Sequence, residues 1–312
     1  MFIWPPFELV VSNNEVGQRL DIFLTNKLSG FSRERVRMLL RQHRVYVDGK
    51  IKNSSMRLNV NMKIIIKGIP PANAPLPIAN HEIPLSLIYE DKHILAVNKE
   101  AGMASLPLSP DETDTLANAL IARYPELCGI GHSILEAGLL HRLDNNTSGV
   151  LLVARSSEVF AKLQQQFSNN TVLKKYLALV DGHPQQTGVI KFPIKHDITD
   201  RRRMIADIAA TQNCDLDNIN NAITHFKVIE YKQRHTLIEV SLHQGVRHQI
   251  RVHLAAIGHP LAGDLLYGGS NSKQNRHFLH ASEIHLQHPI TSIALHLKSA
   301  LPVSLENWLK KI

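Results

Sequence analysis

A chain of 312 residues, 44% hydrophobic and 20% charged, can bury a full core and has room for one large domain beside a small one. No apolar run approaches the ~20 residues needed to span a bilayer, and Met1-Phe2-Ile3-Trp4-Pro5-Pro6 lacks the basic start of a signal peptide, so no membrane partner and a cytoplasmic location are expected. Cys128 and Cys214 are far apart and form no CxxC pair, which argues against a zinc site or a disulfide framework, and the formal charge of +8 favours a polyanionic partner.

In chain order, the first basic feature is Ser32 to Arg44. Val36, Leu39 and Leu40 recur at helical spacing, Ser32 suits an N-cap, and Arg33, Arg37, Arg41 and Arg44 then fall on one face, open to solvent or to RNA phosphates. Two alternating segments around Asp48-Gly49 predict a hairpin, and Met62 to Ile66 closes the unit. From Gly17 to Lys67, with Arg19-Leu20-Asp21 at the front, this region resembles the S4 RNA-binding domain, which implies binding to structured RNA through phosphates and shape.

Between residues 68 and 84, Pro70, Pro71, Pro75, Pro77 and Pro84 predict an extended linker. Beyond it, strands are predicted at Leu85–Tyr89, Ile94–Asn98, Gly149–Ala154, Tyr176–Val180, Ala222–Tyr231 and Thr236–Leu242. Helices are predicted at Thr115–Tyr124, Ser156–Asn169 and Val246–Ile257. Strands that do not alternate regularly with helices indicate an α+β domain around a mostly antiparallel or mixed sheet. The expected division is 1–67 for a small α/β RNA-binding domain, 68–84 for the linker and 85–312 for a catalytic domain.

The stretch His141-Arg142-Leu143-Asp144-Asn145-Asn146-Thr147-Ser148-Gly149 runs straight into a buried strand, and polar residues crowded at a strand's mouth point to chemistry rather than packing. Asp144, Asn146, Ser148 and Gly149 match the opening of a calcium loop, but Arg155 stands where that loop needs a bidentate Glu. Ser148 lacks the preceding Gly-x of a nucleophile elbow. Through Ala154, the stretch resembles the HRLDxxTSGLLLxA motif of the RluA family of pseudouridine synthases, with Val150 for the usual Leu. Lys174-Lys175-Tyr176-Leu177-Ala178-Leu179-Val180 is similar to the family's KxYxALV strand. His248-Gln249-Ile250-Arg251-Val252-His253 is similar to HQIRxH, Gly258-His259-Pro260 and Gly263-Asp264-Leu265-Leu266-Tyr267-Gly268 to GHPxxGDxxYG, and Leu279-His280-Ala281 with His288-Pro289 to its closing signature.

The resemblance implies uridine-to-pseudouridine isomerisation with Asp144 as the covalent catalyst, Arg251 paired with it, Tyr176 against the target base, and Arg142 near the flipped nucleotide. Chemistry agrees, because one ionised carboxylate can serve an oxocarbenium-like sugar centre and a guanidinium keeps it ionised. No redox or phosphate-donor cofactor is consumed. Ribosomal RNA is the expected partner ahead of transfer RNA, and a monomer is expected; a binding or assembly factor on the same fold is the rival reading. His248, His253 and His259 lack metal-ligand spacing, so no metal is expected. The chain has Gly245-Val246-Arg247-His248 where the family has Gly-Arg-x-His, leaving Arg247 as a displaced RNA contact. It also has Lys99-Glu100-Ala101-Gly102 for Lys-Pro-x-Gly. Arg201-Arg202-Arg203-Met204 reads as a phosphate-binding loop or a solvated charge run, followed by a polar stretch, Asp207 to Asn221.

Overall fold

The computed structural model describes residues 7–28, 31, 33–41, 43–67, 77–208, 222–272 and 274–312. The Ser32 cap, the linker prolines Pro70, Pro71 and Pro75, Cys214, the opening residues 1–6 and the polar stretch from 209 to 221 lie outside the described residues. The chain divides into two compact units. The first takes residues 1–84, 106–139 and 154–160, and the second takes 85–105, 140–153 and 161–312.

In the first unit, β1 (Phe7–Val10), α1 (Leu20–Lys27), α2 (Arg33–Arg41), β2 (Val45–Val47), β3 (Lys50–Ile51) and β4 (Lys63–Ile66) form a four-stranded sheet, ordered β1-β4-β2-β3, with two helices. Asp48 and Gly49 both have positive φ, as a two-residue primed turn requires. Leu20, Phe23, Leu24, Val36, Leu39, Leu40, Ile64 and Ile66 make a closed apolar core. The predicted basic helix stops early. His43 takes φ 55°, its N–H donates to the Leu40 carbonyl and that of Arg44 to Leu39, a left-handed C-terminal cap that puts Arg44 beyond the helix. Arg44 is therefore not on the face shared by Arg33, Arg37 and Arg41. The first unit also holds α3 (Leu116–Arg123), capped by the Thr115 hydroxyl.

The second unit is built on a nine-stranded mixed sheet. Its strands are β5 (Ser86–Glu90), β6 (Ile94–Lys99), β7 (Ser148–Ala154), β8 (Leu173–Asp181), β9 (Thr187–Ile190), β12 (Thr224–Tyr231), β13 (His235–Leu242), β14 (Leu279–Gln287) and β15 (Ala294–Lys298). A separate short pair, β10 (Ile194–His196) and β11 (Met204–Ala206), supplies the two intervening numbers. The order is β5-β6-β7-β14-β8-β13-β12-β9, with β15 on β14. β7 and β14 run parallel, with His280 facing Ser148 and Ala281 facing Gly149, whereas β14 meets β8 and β15 antiparallel. Every residue of β7 is buried, as its unbroken apolar run requires of a strand covered on both faces. The remaining helices are α4 (Ser157–Ser168), α5 (Gln249–Ala256) and α6 (Val303–Leu309). α6 seats Leu305 and Trp308 against Leu179, Leu237 and Phe278. The expectation of an α+β chain with a small sheet domain and a larger mixed sheet agrees with this architecture.

Candidate active site

Gly149 sets the position of the polar turn before β7. It has φ 124°, and a Cβ there would fall 2.2 Å from the Ala281 carbonyl oxygen, so only glycine lets β7 lie this close to β14. Ser148 Oγ pairs with His280 Nδ1 at 3.0 Å and accepts from Arg276 at 3.1 Å, while Thr147 Oγ1 pairs with His277 Nε2 at 2.8 Å. The crowding read as chemistry is thus half anchorage: both hydroxyl residues are buried and engaged in holding the turn. A second anchor comes from Lys99, fully buried, whose Nζ donates to the carbonyls of Glu100, Met103 and Asn145 at 2.8, 2.6 and 3.0 Å. The Gly102 N–H also reaches the Asn145 carbonyl. The replaced proline of the Lys-x-x-Gly turn leaves this clamp intact.

The turn delivers Asp144 into a cavity of about 530 Å³, within the range of small-ligand sites. Arg142, Asp144, Lys174, Tyr176, Arg247 and Arg251 all line it, so three dispersed segments of the sequence meet there. Arg251 Nη1 donates to Asp144 Oδ2 at 3.0 Å, the pairing expected from the sequence. The rest of the guanidinium grips Asp264, with Nε to Oδ2 at 2.6 Å and Nη2 to Oδ1 at 2.8 Å. Asp264 is 2% exposed, and its two-pronged grip fixes the fork so that the third nitrogen points at Asp144. In the sequence Asp264 stands only as the acid of Gly263-Asp264, with no sign of the arginine it holds.

Burial alone would raise the Asp144 carboxyl, but His248 and Arg251 beside it hold it below the ordinary carboxylate value. His248 is itself pushed down by burial, whereas Arg251, raised above its ordinary value, is the cation beside Asp144 that stays charged throughout. Arg251 is raised above its ordinary value: burial opposes this, and hydrogen bonding and attraction from Asp264 outweigh it, with Asp144 adding to them. Tyr176, 8% exposed, is raised by burial and by Asp144, so its phenol stays protonated. His141 accepts from the Leu152 N–H and is kept neutral by burial, its value pushed down to about 3.

The outlying basic residues fare differently. Arg142 is exposed at the rim. Arg247 donates to the Arg201 and Arg202 carbonyls, which ties the displaced arginine to that turn. Arg202 pairs with Asp200 and Arg203 with Asp197. Arg33 and Arg37 reach the buried Asp21, at 3.2 and 3.5 Å, and remain about half exposed. Arg41 is exposed, and Arg44 is half-buried with its guanidinium on the Gly129 carbonyl. Of the histidines examined for metal spacing, His253 is held by Thr224 and the Phe192 carbonyl and His259 by the Asp181 carbonyl. Elsewhere, Glu283 Oε2 accepts from both His285 and His296, and its other oxygen faces Lys298. Among the described residues, no helix is long and apolar enough to cross a membrane.

The sequence matches the RNA pseudouridylate synthase family over residues 93–256 and the S4 domain over 18–64. It is 32% identical to a ribosomal large subunit pseudouridine synthase D of Zymomonas mobilis over 99% of this chain and 98% of that one. The enzyme of the same name from Nitrosomonas europaea is 34% identical over 98% and 87%. Among solved structures, human RNA pseudouridylate synthase domain containing 1 aligns with a TM-score of 0.55 at 28% identity, covering 71% of this chain and 86% of that. With HRLD, KxY and HQIR converging on one cavity and relatives matched over nearly their whole length, the chain belongs to the RNA pseudouridylate synthases, in the RluA family and of the pseudouridine synthase D type, and is an isomerase that makes pseudouridine in RNA.

Proposed function

We propose that the chain isomerises a uridine of large-subunit ribosomal RNA, with Asp144 as the covalent catalyst and Arg251 and Tyr176 as its partners. The observation that carries the reading is the 3.0 Å contact from Arg251 to Asp144 inside the cavity. A carboxylate held ionised in a site of limited access can attack or stabilise the sugar carbon as the glycosidic bond to N1 breaks. The freed uracil turns within the cavity, C5 joins the sugar carbon and gives up its proton, and N1 takes one up. Tyr176, protonated and buried, offers a ring face to the base and a hydroxyl toward the sugar. One carboxylate suffices for this exchange, so the reading calls for no cofactor, no metal and a single copy of the chain.

Flipping the uridine out of folded RNA costs a few kcal/mol, and Arg142 at the rim is placed to fill the gap. Residues 1–67 act as the S4-like RNA-binding domain, 68–84 as the linker and 85–312 as the catalytic domain; the family matches fall inside those bounds. Arg33, Arg37 and Arg41 bring phosphate affinity. Arg44 and Arg247, already held by carbonyls, contribute charge more than a free fork. The names of the relatives support ribosomal RNA over transfer RNA.

Tritium release from RNA labelled at uridine C5 tests the reading, using ribosomal and transfer RNA from cells lacking the protein. Release from ribosomal RNA by wild type and none by Asp144→Ala is the expected result. Release by Asp144→Ala would remove the catalytic assignment, and release from transfer RNA alone would overturn the substrate.

A further inference from the structure

Lys174 stands apart from the other charged groups of the cavity. It is 6% exposed, and it lies on β8 two residues before Tyr176, on the same face and about 7 Å along the strand. Its Nζ sits 5.5 Å from the Phe167 ring and packs against Gly245, where an added Cβ would come within 3.1 Å of it. Among the described residues no hydrogen bond or ion pair engages this ammonium. Arg251, in contrast, has two carboxylates to itself.

A buried ammonium without a counter-ion is unfavourable, and a methionine or leucine would fill the same space at lower cost. Burial pushes Lys174 down to about 8, and with no opposing group it still carries its proton at neutral pH. The cavity wall therefore carries both signs: Asp144, paired with Arg251, and the cations Lys174, Arg142 and Arg247. An RNA strand offers a phosphodiester within one nucleotide of any base it presents.

We propose that Lys174 is a built-in phosphate seat, receiving a phosphodiester oxygen of the RNA strand beside the flipped uridine while Asp144 addresses the sugar. This rests on the proposed reading of the cavity as the uridine site. The phosphate supplies a counter-charge to an ammonium that, among the described residues, no carboxylate of the protein faces.

Lys174→Met and Lys174→Arg, assayed beside wild type and Asp144→Ala on ribosomal RNA from cells lacking the protein, test the proposal. Lys174→Met is expected to melt no lower than wild type, because no partner is lost. It should raise KM and Kd about tenfold, keep kcat at saturating RNA within about twofold, and flatten the salt dependence by about one phosphate contact. Lys174→Arg should restore affinity and slope. Unchanged affinity and slope in Lys174→Met would overturn the seat, as would loss of kcat with affinity intact. A lower melting temperature that Lys174→Arg repairs without repairing RNA binding would assign the lysine to the fold instead. Turnover by Asp144→Ala would overturn the catalytic reading alone, since the salt-slope measurement does not depend on turnover.

Discussion

Two clusters of arginine and aspartate sit in the two units of this chain, and they are built in opposite proportion. In the first unit one buried carboxylate, Asp21, collects Arg19, Arg33 and Arg37, each with a side chain still 38–48% exposed. In the second unit one buried arginine, Arg251, is shared by Asp264 and Asp144. The first arrangement fixes helix ends and leaves surplus positive charge on the surface, which suits a polyanion. The second fixes a guanidinium and leaves surplus negative charge facing a cavity, which suits a cation-like centre formed during reaction. Identical residue types therefore leave excess positive charge in one place and excess negative charge in the other, and what decides is which partner is in excess and which is buried.

The largest effect that could break this contrast is on turnover. Asp144→Asn should lower kcat by roughly 10⁴-fold or more with a small fall in melting temperature from the lost pairing to Arg251, read by tritium release and thermal unfolding. Because the Asp144 carboxyl lies below its ordinary value in the fold, its stabilising share is complete above about 3.9 and is lost as pH falls through the folded value. Wild-type kcat/KM should therefore show no acid limb from this group between about pH 5 and 8; a limb near pH 6 that vanishes in Asp144→Asn would contradict the ionised carboxylate.

Arg251→Met should abolish turnover and also cost about 3–5 kcal/mol of stability, because Asp264 is left buried and unpaired. The double variant Arg251→Met, Asp264→Asn should melt higher than Arg251→Met alone while staying inactive. Equal melting temperatures would mean that Asp264 is not the dependent partner. Next in size, Arg37→Glu with Arg41→Glu should weaken RNA binding and flatten its salt dependence by roughly two contacts, with kcat at saturation retained; an unchanged slope would remove the helix from the interface. Smallest is Asp21→Asn, which should cost about 1–2 kcal/mol yet leave RNA affinity equal or higher, since it frees positive charge. A fall in affinity matching the fall in stability would make the cluster wholly structural.

The second unit was most legible where apolar runs are long. β7, β8, β12, β13 and α4 lie within a few residues of the stretches predicted from pattern alone, and the Asp48-Gly49 hairpin is where its turn chemistry put it. Elements with buried polar residues escaped notice. α1 carries the buried Asp21, whose partners come from α2 and from Arg19, so its sequence shows no clean apolar face. β14 begins Leu279-His280-Ala281, and His280 is buried only because Ser148 and the Ser299 carbonyl satisfy its two nitrogens. Such residues read as loop until a distant segment supplies the other half. The same holds in the site: Asp144, Tyr176 and Arg251 were reached through motif and chemistry, whereas Lys99, Lys174 and Asp264 owe their places to contacts spanning up to 46 residues or to a cavity wall. α5 also starts later than its apolar pattern suggested, because His248 takes a left-handed turn that swings its ring toward Asp144 and Tyr267.

Gly149 shows how little slack the Asp144 carboxylate is given. The space that a methyl group would need at this position is already taken by the Ala281 carbonyl. Accommodating even an alanine would wedge β7 away from β14 and carry Asp144, five residues upstream, off the nitrogen that meets it at 3.0 Å. The alignment of the two charges is thus gauged by a missing side chain, much as a machinist's spacer sets a gap, and misalignment at this hinge would separate Asp144 from Arg251 without altering either residue.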